Sequence, residues 1–187
     1  MKIKFEFLFN IIEVGAIGMI LLLALTFQLY LKELPCPLCL LQRVGFVMMI
    51  YGLLLNLKYG YRPSHYSIVL ISGLFTASVA LRQVALHIIP GTGSYGSPVF
   101  GLHLYTWSFI ISMTIVFVTS LMLALDRQYY QTTDASFLHR GITGLIFLII
   151  GLIVMGNFVT TLLECGLTAC PDNPTVYKLL TSTLKFL

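Results

Sequence analysis

The chain has 187 residues, of which 58% are hydrophobic, 13% aromatic and only 10% charged, with a mean hydropathy of +0.93 and a net charge of +4. That balance excludes a disordered or low-complexity chain, and eleven Lys and Arg scattered singly cannot build a basic face, so no nucleic-acid partner is expected. Four cysteines are too few for a secreted disulfide scaffold, yet they fall in two close pairs, Cys36/Cys39 and Cys165/Cys170, and paired thiols in so apolar a chain point to redox or metal chemistry.

A helix crossing about 30 Å of hydrocarbon needs roughly 20 residues with few or no charges. Five such windows are predicted, over about 14–31, 40–57, 67–89, 104–125 and 141–163. The expected fold is therefore an all-α polytopic membrane protein, one integral membrane domain with a bundle of five transmembrane helices. The outer connection from Pro90 to His103, rich in Gly and Pro, reads as an irregular flap. After Cys170, Asn173 and Pro174 open a tail in which Val176, Leu179, Leu180, Leu184 and Leu187 share one side at helical spacing. Its length predicts an amphipathic helix lying on the bilayer surface and not a sixth span. The small residues Gly141, Gly144, Gly151 and Gly156 of the fifth window predict close helix packing.

Cytoplasmic segments keep positive charge. With the N-terminus inside, the inner set is Lys2, Lys4, Lys58, Arg62, Arg127 and Arg140, against Lys32, Lys178 and Lys185 outside, so that orientation is favoured and Lys2 and Lys4 precede a retained first span. Both cysteine pairs then emerge on the outer face.

A C-x-x-C pair opening a helix sets its sulfurs beside unpaired backbone N–H groups and the positive end of the helix dipole, which favours a thiolate. Arg43 follows Cys39 by one helical turn, and Arg82 lies at comparable depth near the outer end of the third window. Two such cations suggest a shared anionic or carbonyl-bearing ligand. The plainer alternatives are that Arg43 snorkels to the interface and that Arg82 pairs with backbone carbonyls or Glu164. His87 and His103 flank the flap, where imidazole could assist proton transfer or merely pack, and Tyr95, Tyr105 and Trp107 sit near the outer boundary.

The stretch Pro35-Cys36-Pro37-Leu38-Cys39-Leu40-Leu41-Gln42-Arg43 resembles the signature of the disulfide bond formation protein B (DsbB) family, and Arg82-Gln83-Val84-Ala85-Leu86-His87-Ile88-Ile89-Pro90 resembles its third-span segment, the likeness covering roughly residues 10 to 125. The resemblance implies a four-helix core and a thiol:quinone oxidoreductase of the bacterial inner membrane that reoxidises a periplasmic DsbA-like thiol oxidase. It implies that Cys39 faces a membrane quinone, ubiquinone or menaquinone, that Cys36 exchanges with the second pair, and that Arg43 binds the quinone; Arg82 and His87, by their own positions in the chain, are further candidates at that site. The chain departs from the family in one respect. Typical members carry the second pair between the third and fourth spans, whereas here it follows an added fifth span. Cys165 and Cys170 are accordingly expected to be the shuttle pair, with Cys170 the partner-facing member; a static disulfide stapling the tail is the alternative. A soft-metal site on the four thiols and a non-catalytic scaffold with structural disulfides are the competing readings.

Overall fold

The computed structural model describes residues 5–89, 91, 96, 98–130, 137–172 and 174–179. Its helices are α1 (Phe5–Tyr30), α2 (Pro37–Tyr59), α3 (Pro63–His87), α4 (Leu104–Leu123) and α5 (Phe137–Cys165), with a 3-10 turn over Asp126–Tyr130 before α5. All five helices are long and apolar enough to cross a membrane, and the chain is an all-α polytopic membrane protein. Leu180–Leu187 and Asn173 lie outside the described residues, and with them most of the expected surface helix; a helical turn begins at Lys178–Leu179. Tyr95 and most of the tip of the flap also lie outside them.

The helices run past the windows bounded by charge, because polar groups inside them find partners. Helix α1 begins nine residues earlier than its window, at Phe5 and not Val14, and takes in Asn10 and Glu13, both buried. Asn10 Nδ2 donates to the Tyr66 hydroxyl at 3.1 Å, Asn56 Nδ2 donates to Asn10 Oδ1 at 3.1 Å, and the Tyr66 hydroxyl donates to Gln128 Oε1 at 2.9 Å. This cluster ties α1, α2, α3 and the 3-10 turn together at the end of the bundle remote from the cysteines. A buried amide in hydrocarbon is tolerated only when satisfied in this way.

Helix α2 packs along α3 and α3 along α4, while α1 leans on α2, and α5 lies against α1 and α2. The core between them holds Ile17, Leu21, Phe46, Met49, Ile50, Leu53 and Val69, all buried. Two glycines set the α2–α3 approach. A Cβ on Gly45 would collide with Thr76 Oγ1, and one on Gly52 would fall 2.8 Å from the His65 carbonyl oxygen. The fifth helix behaves otherwise. Gly141, Gly144 and Gly151 have no atom within 4 Å of the Cβ position, and only Gly156 meets a neighbour, Leu25. The expectation of close packing along the whole of α5 is thereby corrected: this helix touches the bundle along one side and shows Leu148, Leu152, Met155 and Phe158 outward.

Helices α1 and α4 meet where Thr119 Oγ1 donates to Glu13 Oε1 at 3.4 Å. Toward the cysteine-bearing end they part around a cavity.

Candidate thiol site

Helix α2 opens at Pro37, a position where a missing N–H costs nothing, and Cys36 is its N-cap, with Sγ accepting from the Cys39 backbone N–H at 3.2 Å. The C-x-x-C spacing thus wraps both sulfurs around the first helical turn, where backbone N–H groups are unpaired and the dipole is positive. Both cysteines are free thiols, Cys36 buried and Cys39 half-buried.

A third side chain joins them. Gln83, fully buried on α3, points Nε2 at Cys36 Sγ at 3.2 Å and at Cys39 Sγ at 3.3 Å. Gln42 Nε2 donates to Gln83 Oε1 at 2.7 Å, which fixes the end of the Gln83 amide that faces the sulfurs; the Cys39 thiol lies 3.7 Å from that same oxygen. One α2 residue therefore orients an α3 residue that donates to two α2 sulfurs.

Arg43, one turn further along α2, is half-buried. Its Nη1 donates to Gln28 Oε1 at 2.7 Å and to Asn157 Oδ1 at 3.2 Å, and its Nη2 donates to the Ala24 carbonyl at 3.2 Å. Gln28 Nε2 in turn donates to Glu164 Oε2 at 3.2 Å. The end of α1, the start of α2 and the end of α5 are so held at one level.

Cys36, Cys39 and Arg43 share a cavity of about 520 Å³ whose remaining wall is largely apolar, with Leu21, Ala24 and Phe27 from α1 and Tyr105, Trp107 and Ile111 from α4. A tight turn closes its outer rim. Val99 and Leu102 pair as an isolated bridge, Phe100 and Gly101 both take positive φ (50° and 80°), as in the turns that match strand twist, and the Trp107 indole N–H donates to the Val99 carbonyl at 2.9 Å. Phe100, at 93% exposure, stands outward from this turn.

The second pair is joined as a Cys165–Cys170 disulfide, with Cα atoms 4.6 Å apart. Gly166 makes the required reversal at φ 66°, directly after the helix, in a conformation that glycine adopts without strain. Thr168 Oγ1 donates to the Cys165 carbonyl at 3.1 Å and Lys178 Nζ to the Ala169 carbonyl at 2.9 Å, clamping the loop. Cys165 is buried and Cys170 half-buried.

Arg82 does not join this group. It is exposed and does not line the cavity, so the expectation of two arginines on one ligand is corrected. The reason is helical phase: neighbouring residues are turned about 100° apart, and with Gln83 facing the sulfurs Arg82 faces away. His87 stands behind the cavity wall, with Nδ1 2.8 Å from the Gln83 carbonyl oxygen and its ring stacked on Tyr105 at 5.4 Å; His103 stacks on Tyr105 at 5.3 Å. Sequence reasoning missed Gln28, Gln42, Gln83, Asn157 and Glu164 as site residues. The available signal was the uncharged amide inside an apolar window, as informative there as an arginine.

Taken together, the fold and this cluster define a polytopic membrane protein built around a buried thiol pair and a second, disulfide-bonded pair. Residues 6–97, which span α1, α2 and α3, match the family described as Disulfide bond formation protein DsbB. This match, just under half of the chain, supports membership of that family, and the family is one of oxidoreductases in disulfide formation. The match ends before α4, short of the range to about residue 125 expected from the motifs. No curated protein and no solved structure gives a significant match.

Proposed function

We propose that the protein is a dithiol:quinone oxidoreductase of the bacterial inner membrane, with its N-terminus cytoplasmic and its C-terminus periplasmic, which reoxidises a DsbA-like thiol oxidase. Electrons pass from the partner dithiol to Cys165/Cys170, then to Cys36/Cys39, then to ubiquinone or menaquinone. The observation that carries this reading is the cavity shared by Cys36, Cys39 and Arg43.

The lining fits a quinone. The walls are apolar, as a lipid-dissolved ring requires. A guanidinium has five N–H donors, and Gln28, Asn157 and Ala24 use only part of that set, so N–H groups of Arg43 remain for a carbonyl oxygen. When bound, the quinone supplies a sink for two electrons and two protons.

The cysteines make the exchanges. A thiolate of the reduced tail pair attacks Cys36 Sγ, the Cys36–Cys39 bond breaks, and Cys39 leaves as a thiolate. The second tail thiol, giving up its proton, then attacks the mixed disulfide, which restores Cys165–Cys170 and leaves Cys36 reduced. Gln83 donates to the Cys39 sulfur, and Arg43 stands one turn below it on the same helix. The half-buried position of Cys170 beside a buried Cys165 supports Cys170 as the partner-facing sulfur.

The test is quinone reduction by a reduced DsbA-like donor, with wild type, Cys39→Ser and Cys170→Ser. Both variants are expected to lose turnover. Turnover surviving in Cys39→Ser would reject the quinone site, and survival in Cys170→Ser would reject the shuttle.

A further inference from the structure

We infer that the fifth helix is part of the arginine's working apparatus, with Asn157 and Glu164 acting as positioning residues that aim Arg43 into the cavity. This rests on the quinone reading above and goes beyond the delivery of two cysteines to the outer face.

The amide of Asn157 is used at both ends. Its Nδ2 donates to the Leu21 carbonyl at 3.3 Å and to the Ile153 carbonyl at 2.9 Å, so Oδ1 is the end that meets Arg43. Glu164 acts at one remove. By accepting from Gln28 Nε2, Glu164 Oε2 holds the nitrogen end of that amide and leaves Gln28 Oε1 for the guanidinium. Glu164 is fully buried and its other oxygen, Oε1, has no hydrogen-bond partner among the described residues. A buried carboxylate paired directly with Arg43 would occupy the guanidinium's fork and leave less of it for a ligand. With Gln28 between them, Glu164 supports the guanidinium without occupying its fork. Two acceptors on one nitrogen and a carbonyl on the other hold the guanidinium in one orientation, and both α5 contributions reach it only because that helix lies against α1 and α2.

Trp107 is the single tryptophan and lines the cavity, so its fluorescence quenching by a short-chain benzoquinone reads binding in the purified full-length protein. Asn157→Leu and Glu164→Leu are each expected to weaken binding about tenfold or more, as loss of a hydrogen bond to a charged group does. In an Arg43→Met background, neither is expected to weaken it further, because their effect runs through Arg43. Additive losses in that background, or single variants that bind as wild type does, would overturn the inference. Intactness of Cys165–Cys170 and of the helical spectrum verifies the fold, and Asn157→Ser, too short to reach the guanidinium, carries the same expectation should the leucine variant not fold. If wild type shows no saturable quenching, or Arg43→Met binds unchanged, the quinone reading itself falls and this inference with it.

Discussion

A glutamine side chain in hydrocarbon is costly unless both ends of its amide are engaged, and two of the buried glutamines at the site, Gln28 and Gln83, are engaged in opposite senses. Gln28 turns its oxygen to a cation because a carboxylate holds its nitrogen, and Gln83 turns its nitrogen to two sulfurs because Gln42 holds its oxygen. Gln83→Leu is therefore expected to remove the donor from both sulfurs and slow quinone reduction about tenfold, with the helical spectrum unchanged; an unaltered rate would show that the sulfurs need no such donor. Gln42→Leu should fall between, since Gln83 remains but loses the bond that sets its orientation. At the same scale the two arginines separate. Arg43→Ala is expected to raise KM for quinone at least tenfold, whereas Arg82→Ala, on an exposed face, should leave it within about twofold. Equal effects in a steady-state assay would return Arg82 to the site.

Helix packing divides into a tight part and a loose part, and glycine substitutions should report the boundary. An alanine at position 52 meets a backbone carbonyl at 2.8 Å, an atom that cannot rotate away, so Gly52→Ala is expected to cost about 1–3 kcal/mol and to lower the melting temperature in detergent. Gly144 has nothing within 4 Å, and Gly144→Ala should be neutral or slightly stabilising, because alanine gives up less backbone freedom in a helix. A comparable loss at both positions would mean that α5 packs more closely than its open flank shows. The cleft between α1 and α4 follows from the same unevenness. Those helices touch at Glu13 and Thr119 and part outward of them, and the Trp107-pinned turn then bounds the gap at its rim.

For the whole molecule, the five long apolar helices among the described residues carry the tail cysteines to the end of the bundle where Cys36 opens α2. Membrane-impermeant thiol labelling of intact cells after reduction is expected to reach Cys170 from the periplasmic side; labelling only after the cytoplasmic face is exposed would invert the topology. Much of this architecture was legible in the chain itself. The apolar windows marked five helices because hydrocarbon tolerates few charges, and the Cys-Pro-Leu-Cys spacing marked a thiol pair at a helix start because proline and an N-cap both belong there. Local rules did not extend to the ends of helices rich in polar residues. Glu13 and Glu164 read as boundaries, yet both are buried inside helices. Nor did equal depth place Arg82 with Arg43, since depth follows position along a helix while contact follows rotation about it. Composition and spacing by themselves determined the number of long apolar helices and the two cysteine pairs, because each depends on residues near one another in the chain. Only tertiary packing decided that Gln28, Asn157 and Glu164 gather on Arg43 and that Gln83 meets both sulfurs, because those contacts join residues from different helices, whose rotational phase is set by the neighbours they pack against.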